Sequence, residues 1–176
     1  MILWIDGPYG VGKSTLANAL HEREPDSFIF DAEAVGNAVR DNLPPEMFNG
    51  WIFEGYPLWF HMCAALLTEI AGNFSGTVYV PMTLTEQDSF EKITRPLRER
   101  GVRVEHILLE ADDDTVRQRI LARGEEEGCW CMENIGLCQA RQRDFTDVIR
   151  INAAGQTAEL LAAVRKIIGQ TEGPVK

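Results

Sequence analysis

A stretch near the amino end combines the residue types that hold a polyphosphate: Gly7-Pro8-Tyr9-Gly10-Val11-Gly12-Lys13-Ser14-Thr15. It fits G-x-x-x-x-G-K-[ST], the spacing of a phosphate-binding loop (P-loop) whose bare backbone amides curl around phosphate oxygens. Glycines at 7, 10 and 12 remove the Cβ atoms that would block that curl. Lys13 supplies a point charge for β- and γ-phosphates, and the Ser14 hydroxyl suits one coordination position of Mg²⁺. The flanks agree. Met1-Ile2-Leu3-Trp4-Ile5 is short and apolar, as a buried parallel strand is. Leu16-Ala17-Asn18-Ala19-Leu20 opens a helix, and the N-terminus of a helix attracts anions.

Further chemistry is sought beyond the carboxyl ends of the strands, where parallel α/β sheets bind their ligands. Asp6, Asp31, Thr83 and Asn152 fall at such ends. Asp31 suits two roles that are compatible: a carboxylate that takes a proton from an acceptor hydroxyl or holds a Mg²⁺-bound water, and an N-cap for the next helix. Arg119 and Arg123 lie four apart, on one face of a helix leading into a polar, glycine-containing segment. Arriving on a closing lid, they would stabilise the charge that phosphoryl transfer spreads over the equatorial oxygens; otherwise they are a solvated helix end. Arg40 and Arg98 are further candidates for contact with an anion. His106, inside a strand, reads as a satisfied core histidine. Trp51, Phe53, Tyr56 and Trp59 either line an acceptor pocket or pack in the core. The third strand ends Val80-Pro81-Met82-Thr83 without an acid, so Asp31 or water must serve the second magnesium-associated position. No N-K-x-D-like motif selects guanine, which favours ATP over GTP.

These residues need positioning elements, and the hydrophobic pattern supplies them. Strands are expected at 1–5, 27–31, 76–82, 102–110 and 148–152. Helices are expected after the loop and at 32–42, 57–71, 86–100, 112–123, 132–145 and 157–168. The tail from residue 169 is expected to fray. Strands alternating with helices imply an α/β fold of three layers, a five-stranded parallel sheet with helices on both faces. One domain over 1–176 is expected, with a small lid at 124–132 and an acceptor-binding region at 36–60.

A net charge of −10 and a pI near 4.8 disfavour nucleic acid and anionic membranes as partners. The longest apolar run, 58–67, contains His61 and falls far short of the roughly 18 residues a membrane span needs. With no signal-peptide pattern, the protein is expected to be cytoplasmic. Its cysteines, at 63, 129, 131 and 138, should then be reduced thiols. The 129/131/138 spacing fits no paired zinc framework.

Trp4-Ile5-Asp6-Gly7 with the P-loop, Asp31-Ala32-Glu33-Ala34-Val35-Gly36 followed by Arg40, Tyr56-Pro57-Leu58-Trp59 and Val80-Pro81-Met82-Thr83 together resemble the tunicamycin-resistance proteins of bacteria. Val104-Glu105-His106 and the Arg119/Arg123 pair extend the likeness over most of 1–152. The resemblance implies a P-loop fold similar to nucleotide, shikimate and chloramphenicol kinases, with sheet order 2-3-1-4-5. It also implies ATP binding through Lys13 and Ser14, and resistance to a nucleoside antibiotic. Ala32 stands where the family has Pro. The basic, amphipathic extension associated with membrane attachment in the founding member has no counterpart here, so no membrane partner is expected.

Motif and resemblance together assign catalysis to Lys13, Asp31, Arg119 and Arg123. Nucleotide binding falls to Gly7, Pro8, Tyr9, Gly10, Val11, Gly12, Lys13, Ser14 and Thr15, with Arg119 and Asn152. The acceptor is assigned to Asp31, Glu33, Arg40, Trp59 and Thr83, and Mg²⁺ to Ser14. The expected activity is ATP-dependent phosphoryl transfer to a hydroxyl acceptor such as tunicamycin. Two other readings stand beside it: an ATP-binding protein that sequesters the drug unchanged, and a nucleoside or nucleotide kinase of ordinary metabolism.

Overall fold

Every residue from Ile2 to Asp6 is buried because this strand, β1 (Ile2–Asp6), runs through the middle of the sheet. The structure is a computed structural model that describes residues 1–169. The expected fraying of the tail concerns residues that lie, from 170 on, outside that range. β1 pairs in parallel with β3 (Thr77–Pro81) on one side and with β4 (Val104–Glu110) on the other. β2 (Ser27–Ile29) and β5 (Ile149–Asn152) form the edges, giving the order β2-β3-β1-β4-β5.

Alternation along β1 feeds two cores, one on each face of the sheet. Ile2 and Trp4 join Val78, Val80, Trp59, Phe60, Leu67 and Phe90 in one core. That face carries α2 (Ala32–Asp41), α3 (Pro57–Asn73) and α4 (Gln87–Arg98). Leu3 and Ile5 join Tyr79, Ile107 and Leu109 in the other, against α1 (Lys13–His21) and α8 (Thr157–Gly169). A strand buried on both faces must be apolar throughout, which is why the first residues read as a continuous run.

Beside small shifts such as the later start of β4 and the earlier end of α4, two departures from the sequence expectation bear on the site. β2 ends at Ile29 rather than at 31, because Asp31 turns out of the sheet to cap α2: its Oδ1 accepts from the Ala34 amide at 2.9 Å. The helix expected over 132–145 is divided into α6 (Trp130–Glu133) and α7 (Ile135–Gln142), which follow α5 (Asp113–Ala122). The break falls at Asn134, whose side-chain amide donates to the Trp130 carbonyl at 2.8 Å, alongside the backbone bond to the same oxygen. Asparagine amides compete with the helix ladder in this way. Beyond α7, Arg150 donates to the carbonyls of Gln142, Arg143 and Phe145, which fixes the chain as a turn. No described helix is long and apolar enough to cross a membrane.

Candidate functional site

The P-loop curls as its glycines allow. Gly7, Gly10 and Gly12 all have positive φ, at 142°, 83° and 111°. Two of them also sit where a side chain has no room. A Cβ on Gly7 would stand 2.7 Å from the Leu109 carbonyl oxygen, and one on Gly10 would stand 2.6 Å from Ile120. Close approach of β4 and α5, as well as backbone curl, therefore requires glycine here.

Lys13, the first residue of α1, folds back over the loop and donates to the Gly7 and Pro8 carbonyls, both at 3.0 Å. Burial holds its ammonium below the ordinary value of 10.5, and the nearby Asp6 carboxylate opposes that shift. A charge in this state gains most from an anion brought to it. Ser14 and Thr15, on the same turn, are exposed.

These residues open onto a cavity of about 480 Å³. Its walls are the loop from Tyr9 to Thr15, Glu33 at the start of α2, Arg119 of α5 and Arg123 just past the end of that helix. Glu125, Cys131, Gly155 and Thr157 also line it. Ligand pockets of this kind typically span about 300–1,000 Å³. Arg119 is half-buried and braces the floor: its Nη1 donates to the Val11 carbonyl and its Nη2 to the Ala153 carbonyl, each at 2.8 Å. Trp130 of α6 meets Tyr9 edge to face, with ring centroids 5.0 Å apart.

Several of the sequence candidates stand elsewhere. Asp31 and Glu33 lie two apart at a helix start, so their side chains point to different sides. Asp31 spends its carboxylate on the cap, and Glu33 is the one that lines the cavity. Trp59 does not line an acceptor pocket. It is fully buried, and its Nε1 donates to the Ala32 carbonyl at 2.9 Å, so it supports the start of α2 from below. Thr83 is buried too, its hydroxyl donating to the Gly7 carbonyl at 2.9 Å. It shapes the P-loop from behind. Asn152 turns the chain after β5, its Oδ1 accepting from the Ala154 amide at 2.8 Å. The residues that reach the cavity from that loop are Gly155 and Thr157. Arg40 is placed over the rings of Trp51 and Phe53, at 4.8 and 5.4 Å, and Arg98 pairs with Glu91. His106 is the core histidine expected, stacked on Phe90 at 4.1 Å.

Asp6, a candidate because it falls at the end of β1, is the hub of a bonding network rather than a residue facing the cavity. Its Oδ1 accepts from the Gly7 amide (2.7 Å), the Leu84 amide (3.0 Å) and the Gln142 side chain (3.0 Å). Its Oδ2 faces His106 Nε2 at 3.1 Å. A fully buried carboxylate demands such partners. Its place at the end of a strand and just before the loop marked it, but its partners lie far off in the chain.

A family model described as an AAA domain matches residues 2–131. Among solved structures, the tunicamycin resistance protein of Deinococcus radiodurans is similar at TM-score 0.75 and 26% identity, covering 99% of this chain and 99% of its own. A gluconokinase from Sinorhizobium meliloti is similar in fold at TM-score 0.64 and 14% identity, covering 97% of each chain. So is a shikimate kinase from Bacteroides thetaiotaomicron, at 0.63 and 16%, covering 96% of this chain and 98% of its own. Among curated proteins, none matches the sequence significantly.

Proposed function

The chain belongs to the AAA domain family with a P-loop kinase-like fold, and from that premise we propose that it transfers the γ-phosphoryl group of ATP to a hydroxyl of a small acceptor. The observation that carries this reading is the shared cavity. One space is lined by the P-loop with Lys13 and Ser14, by a carboxylate at Glu33, and by Arg119 of α5 and Arg123 at its C-terminal cap.

The residues fit the groups the reading needs. Loop amides of positive-φ glycines, Lys13 and Arg119 would hold the triphosphate. The exposed Ser14 hydroxyl would hold Mg²⁺, which supplies charge neutralisation across the phosphates when bound. Arg123, exposed at the end of α5 and paired with Glu125 at 3.6 Å, would come onto the transferring group as residues 124–132 close. In the transfer, the acceptor oxygen bonds to the γ-phosphorus and the bond from that phosphorus to the β–γ bridging oxygen breaks. Glu33 accepts the acceptor's proton, the role first expected of Asp31. The region 36–60 would receive the acceptor, with Arg40 over Trp51 and Phe53 forming a cationic, aromatic surface. The likeness to the Deinococcus radiodurans protein, at 26% identity over nearly the whole chain, supports a nucleoside antibiotic such as tunicamycin as that acceptor.

The test is incubation with γ-labelled ATP, Mg²⁺ and a panel of acceptors: tunicamycin, common nucleosides and sugar acids. Label in an organic phosphate of tunicamycin is the expected result. Label in an ordinary nucleoside alone reassigns the acceptor. Tunicamycin recovered intact, with ATP-dependent binding and label only in ATP or free phosphate, overturns transfer in favour of sequestration.

A further inference from the structure

Consecutive residues just past β3 bond to several distant parts of the molecule. The Thr83 hydroxyl donates to the Gly7 carbonyl of the P-loop at 2.9 Å. The Leu84 amide donates to Asp6 at 3.0 Å, and the Leu84 carbonyl accepts from Gln142 of α7 at 2.8 Å. The Thr85 amide (2.9 Å), the Thr85 hydroxyl (2.6 Å) and the Glu86 amide (3.0 Å) all donate to the carboxylate of Glu54. Arg141 of α7 donates to the same Thr85 hydroxyl oxygen at 3.3 Å and to Glu86 Oε1 at 2.8 Å. Leu84, Thr85 and Gln142 are buried, so water does not readily replace these bonds.

Glu54 lies in the loop between α2 and α3, which is folded against α2. The Phe53 ring fills the place where a side chain on Gly36 would be, 2.3 Å from a built Cβ. The Tyr56 hydroxyl closes the loop on itself, accepting from the Asn49 amide and donating to the Gly50 carbonyl. The loop is thereby tied to itself and to α2, with Glu54 as its grip on the segment after β3. From there the chain of bonds continues through Arg141 and Gln142 into α7, then to α6 and Trp130, which rests on Tyr9 of the P-loop.

We propose that residues 83–86 couple the loop between α2 and α3 to the α6–α7 arm above the P-loop, with Glu54 as the positioning residue that transmits between them. This rests on the reading that the loop meets the acceptor and the arm closes over the nucleotide. Engagement on one side then biases the other, and the bias is reciprocal. The competing reading is local. Glu86, the N-cap of α4, makes no side-chain cap bond of its own, and Glu54 would merely cap that helix in its place.

Amide hydrogen exchange of the nucleotide-free full chain separates the two. In Glu54→Ala, exchange is expected to quicken at least about ten-fold at 43–56 and to quicken also at 130–142, since losing even one bond to a charged group is worth that much. Glu54→Gln, which keeps one acceptor oxygen, is expected to recover part of the protection at both. Quickening at 43–56 and the start of α4 alone makes Glu54 a local cap and overturns the coupling. Should Glu54→Ala fail to fold, Arg141→Met is read the other way: quickening at 43–56 supports the coupling, and exchange unchanged there overturns it. None of these measurements uses ATP or an acceptor. Coupled exchange in a protein that transfers no phosphoryl group leaves the coupling standing and removes the functional reading instead.

Discussion

The Arg119 guanidinium joins two parts of the chain that are far apart in sequence: it donates to the Val11 carbonyl in the P-loop and to the Ala153 carbonyl past β5, at 2.8 Å each. The planar fork matches two divergent carbonyls in a way a lysine ammonium does not. Arg119 thereby sets the wall of the cavity before any ligand is considered. Arg119→Met is expected to lower stability by about 1.5–3 kcal/mol, since two bonds to a charged donor are lost. Arg119→Lys should recover only part. Urea unfolding of the three proteins measures this, and equal stability of all three removes the bracing role.

Glu33 and Asp31 are expected to separate cleanly. Glu33→Gln should slow phosphoryl transfer by about 10²- to 10⁴-fold, the usual span for a lost general base, while ATP affinity changes little. Asp31→Ala removes the N-cap of α2 and should cost about 1 kcal/mol of stability with a small effect on turnover. Single-turnover kinetics alongside thermal melts distinguish them. The opposite result returns the base to Asp31.

Lys13→Met should weaken ATP binding by about 10- to 100-fold, as titration calorimetry would read. The same substitution carries a pH signature. Burial lowers the Lys13 pKa below 10.5 in the folded protein, so the unfolded chain holds more protons in the window just below 10.5. Stability of the nucleotide-free protein should therefore receive from this group a rising contribution as pH climbs toward 10.5. That contribution disappears in Lys13→Met, and unfolding midpoints at a series of alkaline pH values should show the difference.

Cys63 gives the reverse slope. It is fully buried on the core-facing side of α3, and burial pushes its thiol from 9.0 up to about 12. Above pH 9 the unfolded chain loses this proton first, so the stability it contributes declines between pH 9 and 12. Cys63→Ala should cost on the order of 1 kcal/mol at neutral pH, because a small cavity replaces the sulfur. Its alkaline decline should be shallower than that of the parent. Parallel declines in the two proteins would assign the alkaline loss to other groups.

The P-loop, the apolar strands and the helix ends were legible in the sequence because each depends on neighbours a few residues away. Gly7, Gly10 and Gly12 announce their own backbone curl, and β1 announces its double burial by having no polar residue before Asp6. The order of the strands was available only through the family resemblance, since pairing partners leave no local mark. The break at Asn134 was missed because helical periodicity continues across it and a single side-chain bond interrupts it.

The sequence by itself determined that a polyphosphate-binding loop stands between a central strand and a helix, and which residue types are at hand to act on its ligand. Tertiary structure alone decided which of them line the cavity beside that loop. Asp31 and Glu33 are two residues apart, yet only Glu33 lines the cavity; Trp59 and Thr83 resemble site residues but are buried supports. The bonds that build the site join Asp6 to Gln142 and Glu54 to Thr85, across 136 and 31 positions of the chain. The physical reason is that a side chain's direction and desolvation are set by the elements packed around it, and those elements meet only when the sheet has assembled.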